Sequence, residues 1–129
     1  MEKVLFAVNG TLMRGLELHQ HLLDVGAKYI ETTKTIQAYR LFSIDDKYPG
    51  MIYEESGQTA PIQVEVYEID KDKLIQVAEQ EPEGLYIGRV FLDGGTPVLG
   101  VLIEKEFVKG KKEITKFGGW KKYLSSLKK

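Results

Sequence analysis

Val8-Asn9-Gly10-Thr11-Leu12-Met13-Arg14-Gly15 is the stretch on which the reading of this chain turns. An almost continuously apolar run, Val4 to Val8, leads into it, and a helix-like run, Leu16 to Leu23, leaves it. A strand that ends in a Gly-containing turn presents consecutive backbone N–H groups, which suit a carboxylate or a phosphate. An ordinary strand-to-helix turn carries the same punctuation, so the rest of the chain has to decide.

The 129 residues suffice for one domain, 1–129, with a real core. Apolar residues make up 43% and charged residues 29%, which places the chain among soluble globular proteins. A net charge of -1, with Lys and Glu interspersed, predicts no nucleic-acid partner. The absence of Cys excludes disulfides, thiolate metal sites and cysteine nucleophiles, and it suits a reducing compartment. No apolar run approaches the roughly 20 residues that span a bilayer, so no membrane is expected. The expectation is a cytoplasmic protein. His19 and His21 are two apart, so on a helix they diverge and cannot share a metal.

Working outward from the opening stretch, Lys3 to Val8 reads as a buried strand and Gly15 to Asp24 as a helix stopped by Gly26. Tyr29 to Thr35 and Ala38 to Ile44 read as strands, and Asp45 to Gly50 as a turn. Met51 to Tyr53 is a short strand, Glu54 to Gln58 a hairpin turn, and Pro61 to Ile69 an alternating strand. Glu65 within it lies on a solvated face or in a polar interior. Asp70 is placed to cap a helix from Lys71 to Gln80, whose Leu74, Val77 and Ala78 form an apolar stripe ended by Pro82. Glu79, Glu81 and Glu83 gather at its C-terminal end, where they oppose the helix dipole. A solvated acidic loop or a functional carboxylate explains the placement. Leu85 to Leu92 and Thr96 to Glu104 flank Asp93-Gly94-Gly95 as a hairpin, and Lys109 to Lys112 is a basic turn. Gly118 to Leu127 closes the chain as a short helix with Trp120 in the core. The pattern predicts an α+β domain: a small mixed β-barrel or sheet with two or three short helices.

Several segments resemble the C-terminal domain of allophanate hydrolase. They are Tyr39-Arg40-Leu41, Pro49-Gly50, Ile62-Gln63-Val64-Glu65-Val66, Ile87-Gly88, Glu113-Ile114-Thr115, Gly118-Gly119-Trp120 and Tyr123-Leu124. A second resemblance is to the γ-glutamylcyclotransferase-like superfamily, which shares that fold. Asn9-Gly10-Thr11-Leu12 is similar to its Tyr-Gly-Ser-Leu loop, and Glu81 falls at its catalytic Glu. Ala78 and Pro82 stand at the Asp and Gly of that motif, and Tyr86 and Arg89 resemble a Tyr-x-x-Arg pattern. Thr11 stands where the allophanate hydrolase domain carries a His, and Tyr53 where it often carries an Arg.

The superfamily resemblance implies a transferase that releases 5-oxoproline from a γ-glutamyl amide without metal or cofactor. Glu81 would be the general base, and Asn9, Gly10, Thr11, Leu12 and Tyr86 would bind the substrate. The allophanate hydrolase resemblance implies action on a small carboxylate or carbamate in urea or amide metabolism. A third reading is a non-catalytic module that binds a small acid and pairs with an amidase partner or with a second copy of itself.

Overall fold

The computed structural model describes residues 2–55 and 57–128. Among them the strands are β1 (Lys3–Val8), β2 (Lys28–Lys34), β3 (Tyr39–Ile44), β4 (Tyr48–Tyr53), β5 (Gln63–Asp70), β6 (Leu85–Phe91), β7 (Pro97–Ile103) and β8 (Lys112–Glu113). The helices are α1 (His19–Asp24), α2 (Lys71–Glu79) and α3 (Trp120–Leu127). Two strands of the chain's first and last thirds meet at the centre. β1 runs antiparallel to β5, with Phe6 opposite Tyr67, and parallel to β7, with Phe6 opposite Leu99. The resulting five-stranded sheet has the order β2-β5-β1-β7-β6, and a second sheet has the order β4-β3-β8.

The α+β class agrees with the sequence reading, but the strands do not close into a barrel. The five-stranded sheet curls until its two edges touch at one isolated bridge, Thr35 to Leu92, and no ladder continues from it. β3 has little polar alternation because both its faces are covered. Tyr39 and Leu41 join the main core with Met51, Ile62 and Trp120, while Phe42 and Ile44 join a smaller one with Ile52, Ile103 and Val108.

Several local expectations are corrected. The helix expected from Gly15 begins only at His19, because Gly15 takes a left-handed φ of 81° and the preceding residues form successive turns. The turn expected over Asp45 to Gly50 is shorter. Asp45 and Asp46 adopt positive φ, and β4 starts at Tyr48 with Pro49 inside it. Glu54 to Gln58 is not a hairpin turn: β4 and β5 belong to different sheets, so the segment crosses between them; its Ser56 lies outside the described residues. Asp70 stands at the start of α2 but its side chain makes no capping bond; it pairs with Lys3, 2.8 Å away. Lys112, assigned to a basic turn, pairs with Ser43 in β8. The β6–β7 hairpin agrees with its signal, with Gly94 and Gly95 at φ 91° and 90°. No described helix is long and apolar enough to cross a membrane.

Candidate functional site

β1 delivers the chain into the segment 9–18, which is held by its own carbonyl groups. Gly10 O accepts from Met13 N–H at 2.9 Å, and Thr11 O accepts from Leu18 N–H at 2.9 Å. Leu12 O accepts from His19 Nδ1 at 2.9 Å, so that His19 is a structural residue. The carbonyls of residues 10–12 are therefore all committed. The N–H groups of Gly10, Thr11 and Leu12 donate to no described residue. Such unclaimed donors in a short loop form an anion-friendly concavity.

Glu81 faces the same cavity. α2 ends at Glu79, and Glu81 N–H bends back to Ala78 O at 3.2 Å in the turn before Pro82. Glu81 is half-buried there, whereas Glu79 and Glu83 are exposed. The acidic cluster thus divides into one half-buried carboxyl and two solvated ones. Burial alone pushes Glu81 up to about 7, because removal from water penalises the charged form. Asn9, Gly10, Thr11 and Leu12 line the cavity opposite it, with Tyr48 and Pro49 forming a wall. Water-sized molecules have about 10 Å³ for their centres, which is room for roughly one water. Any larger ligand requires the Glu81 turn or the loop to yield.

Two of the expected binding residues stand differently from the rest. Asn9 lines the cavity, but its Nδ2 is already committed to Val101 O at 3.0 Å and lies 3.7 Å from Met51 Sδ. It ties the loop to β7. Tyr86 borders a separate apolar lobe behind Glu81, with Phe6, Ala78 and Ile87. Arg89 borders an open apolar groove with Val4 and Leu5, away from Glu81. Among the described residues no cluster of His, Asp and Glu could hold a metal ion.

Pro49 was missed in the sequence because Pro-Gly reads as a turn. Its ring lies so close to Gly10 that a Cβ there would sit 2.5 Å from Pro49 Cδ. Only glycine permits this approach of loop and wall. Gly10→Ala is expected to destabilise the fold by about 1–3 kcal/mol and to displace the loop, measured by urea unfolding and by amide chemical shifts of residues 9–13.

Glu65, left open between a solvated and an interior position, is 2% exposed. It receives Arg14 N–H at 2.9 Å, Tyr67 Oη at 2.9 Å and Lys121 Nζ at 3.0 Å. These donors hold its carboxyl below its ordinary value against the opposing effect of burial, which is the largest single influence.

Comparison with known proteins gives the family and the fold. The family model described as the allophanate hydrolase C-terminal domain matches residues 4–125. Urea amidolyase of Saccharomyces cerevisiae is 36% identical over 95% of the chain, and the chain spans only 7% of that protein's length. A second urea amidolyase, from Lachancea kluyveri, is 37% identical over 98% of the chain and is again matched over 7% of its length. The crystal structure of a uropathogenic E. coli-specific protein superposes with a TM-score of 0.94 at 41% identity, covering 97% of this chain and 98% of that one. Allophanate hydrolase of Kluyveromyces lactis superposes at 0.92 with 32% identity, over 98% of this chain and 22% of that one. A γ-glutamyl cyclotransferase shares the fold at a TM-score of 0.56 and 14% identity, covering 87% of this chain and 70% of that one. With its terminal Gly118-Gly119-Trp120 motif and a family match over nearly its whole length, the chain belongs to the allophanate hydrolase C-terminal domain family.

Proposed function

We propose that the cleft binds a small carboxylated carbamate or amide of urea-type metabolism and that Glu81 transfers a proton at its nitrogen. The observation that carries this reading is that Glu81 lines one cavity together with Gly10, Thr11 and Leu12, residues whose N–H groups donate to no described residue. The small cavity favours a substrate of few atoms, and the relatives named for urea amidolyase and allophanate hydrolase favour a urea-derived one. In this reading the loop N–H groups hold the carboxylate. Protonated Glu81 gives its proton to the nitrogen, the C–N bond breaks with its electron pair going to nitrogen, and carbon dioxide leaves. Glu81 then recovers a proton from water. Because those relatives are far longer chains, an amidase-type partner would supply the substrate.

A second reading is favoured by the position of Glu81 directly after α2, opposite the Gly10-Thr11-Leu12 loop, on a fold shared with a γ-glutamyl cyclotransferase. Ionised Glu81 would take a proton from the α-ammonium of a γ-glutamyl amide. The amine would attack the γ-carbonyl, the amide C–N bond would break, and the proton would pass to the leaving amine as 5-oxoproline forms.

The two readings need opposite protonation states, and a group near 7 makes them separable by pH. Acid chemistry loses rate as pH rises past about 7; base chemistry gains rate through the same value. The assay follows carbon dioxide from an amidase–allophanate mixture and 5-oxoproline from a γ-glutamyl panel, each from pH 5 to pH 9. Release of neither would remove both readings and leave the binding module paired with an amidase or a second copy.

A further inference from the structure

Glu65 stands outside the cleft and takes no part in either proton transfer. Its contacts nevertheless reach both ends of the binding loop. Strand register sets it opposite Val8, the last residue of β1 before the loop, and opposite Thr32 of the edge strand β2. Its Oε1 receives Arg14 N–H at 2.9 Å, directly after the turn that Met13 N–H closes onto Gly10 O. The same Oε1 receives the Tyr67 hydroxyl, and the Tyr67 ring packs on His19 with centroids 5.9 Å apart. His19 Nδ1 in turn donates to Leu12 O. On the other oxygen, Lys121 Nζ lies at 3.0 Å and Arg14 Nε at 3.5 Å. The Arg14 guanidinium is further held 3.8 Å over the Tyr29 ring. A carboxylate is the one side chain that can take all these donors at once, since its two oxygens offer about four acceptor positions.

We propose that Glu65 is the positioning residue of the cleft: it fixes the loop so that its carbonyls turn to the protein and the N–H groups of residues 10–12 remain free for an anion. Reading those N–H groups as a ligand site rests on the proposed function. The mechanical claim, that Glu65 sets the loop conformation, does not. Removing the carboxylate frees the Arg14 N–H and the Tyr67 hydroxyl together, so both anchors of the loop loosen. Water then reaches Glu81 across the cavity, and its titration moves back toward an ordinary carboxylate.

Glu65→Gln tests this while keeping side-chain volume. Its amide has one acceptor oxygen for two sets of donors. Facing the Arg14 N–H and the Tyr67 hydroxyl, it sets its own N–H groups against Lys121 Nζ and Arg14 Nε, which already donate and drive the side chain out of place. Reversed, it leaves both loop anchors without an acceptor. Tyr67→Phe is the milder variant; it removes one hydroxyl and leaves the ring against His19. Amide exchange of Met13, Arg14 and Leu18, whose N–H groups are bonded within the loop or to Glu65, is expected to quicken about tenfold in Glu65→Gln, with β1, β5 and β7 unchanged. The carboxyl carbon of Glu81, followed by NMR, is expected to titrate about one pH unit lower. Tyr67→Phe is expected to give the same pattern at smaller size. Wild-type exchange at Met13, Arg14 and Leu18 and an unmoved Glu81 titration in folded variants would overturn the proposal. Where Glu65→Gln fails to fold, Tyr67→Phe decides alone: selective loosening of the loop supports the proposal and unchanged exchange overturns it. Malonate, added as a small dicarboxylate probe, separates this claim from the functional one. Wild-type loop amides that ignore malonate would count against the cleft as an anion site, and the exchange comparison would still stand.

Discussion

Glu81→Gln is expected to cut turnover by about 10²–10⁴-fold while leaving the fold intact. Gln has nearly the same shape and keeps hydrogen-bonding groups in the cavity, but it neither gives nor takes a proton. The same variant is expected to be more stable than the parent in mild alkali. Burial raises the carboxyl from 4.5 to about 7 in the folded protein, while the unfolded chain keeps the ordinary value. Between these values the folded state holds a proton that the unfolded state has lost. Stability therefore falls as pH rises through that window and levels off above about 7. Glu81→Gln removes that slope, and at pH 8 the gain is about 1–2 kcal/mol after allowance for the partial exposure of the group. Unfolding curves at pH 5 and pH 8, run beside the assay, check both halves. A variant that keeps full turnover would remove Glu81 from the chemistry. A stability gap that is the same at both pH values would show that the carboxyl is not desolvated.

The largest effect on stability is expected from Trp120→Ala, at about 3–5 kcal/mol, or a fall in Tm of roughly 10–20 °C for a chain of this size. Trp120 is 1% exposed, and its ring lies against Tyr123 with centroids 5.6 Å apart. Tyr123 is itself packed edge-on to Phe117 at 5.2 Å, and its hydroxyl donates to Asp46 at 2.6 Å. Truncation therefore opens a void under α3 that Tyr123 cannot fill without giving up Asp46. The neighbouring residue, Lys121, carries the ion pair to Glu65, so displacement of α3 also reaches the support of the loop at residues 9–18. Guanidinium unfolding with an unchanged denaturant slope would attribute the loss to the folded core. A loss below about 1 kcal/mol would contradict this account of the core.

What was legible in the sequence follows from how local the cause is. The apolar stripe of Leu74 and Val77 reports α2 because helix periodicity is local, and both are buried as expected. Asp93-Gly94-Gly95 reports the β6–β7 hairpin for the same reason. Pro49-Gly50 misled because proline is common in turns; here Pro49 sits within a strand and forms the wall that Gly10 meets. The partners of Glu65 were invisible because Arg14 and Lys121 lie 51 and 56 residues away, and no local pattern encodes such a meeting. Glu79, Glu81 and Glu83 stood out together because acidic residues at that end of a helix break a local rule, and only the resemblance to the γ-glutamylcyclotransferase-like superfamily picked Glu81 from the three. The size of the cavity could not be read, since it depends on β4, β7 and the loop together.

The central position of β1 also governs when the protein can assemble. Its ladder partners are β5, where Phe6 meets Tyr67, and β7, where Phe6 meets Leu99. A chain made from its N-terminus thus holds an apolar strand without neighbours until β5 (Gln63–Asp70) has been synthesised, and without its second neighbour until β7 (Pro97–Ile103) follows. Pairing across such separations is slow, because loop closure precedes any reward from contact. The nascent strand Val4–Val8 is accordingly the segment most exposed to aggregation or to chaperone capture. The loop at residues 9–18 begins where that strand ends and is tied to β7 through Asn9 and Val101, so it gains its final shape only after β7 has docked.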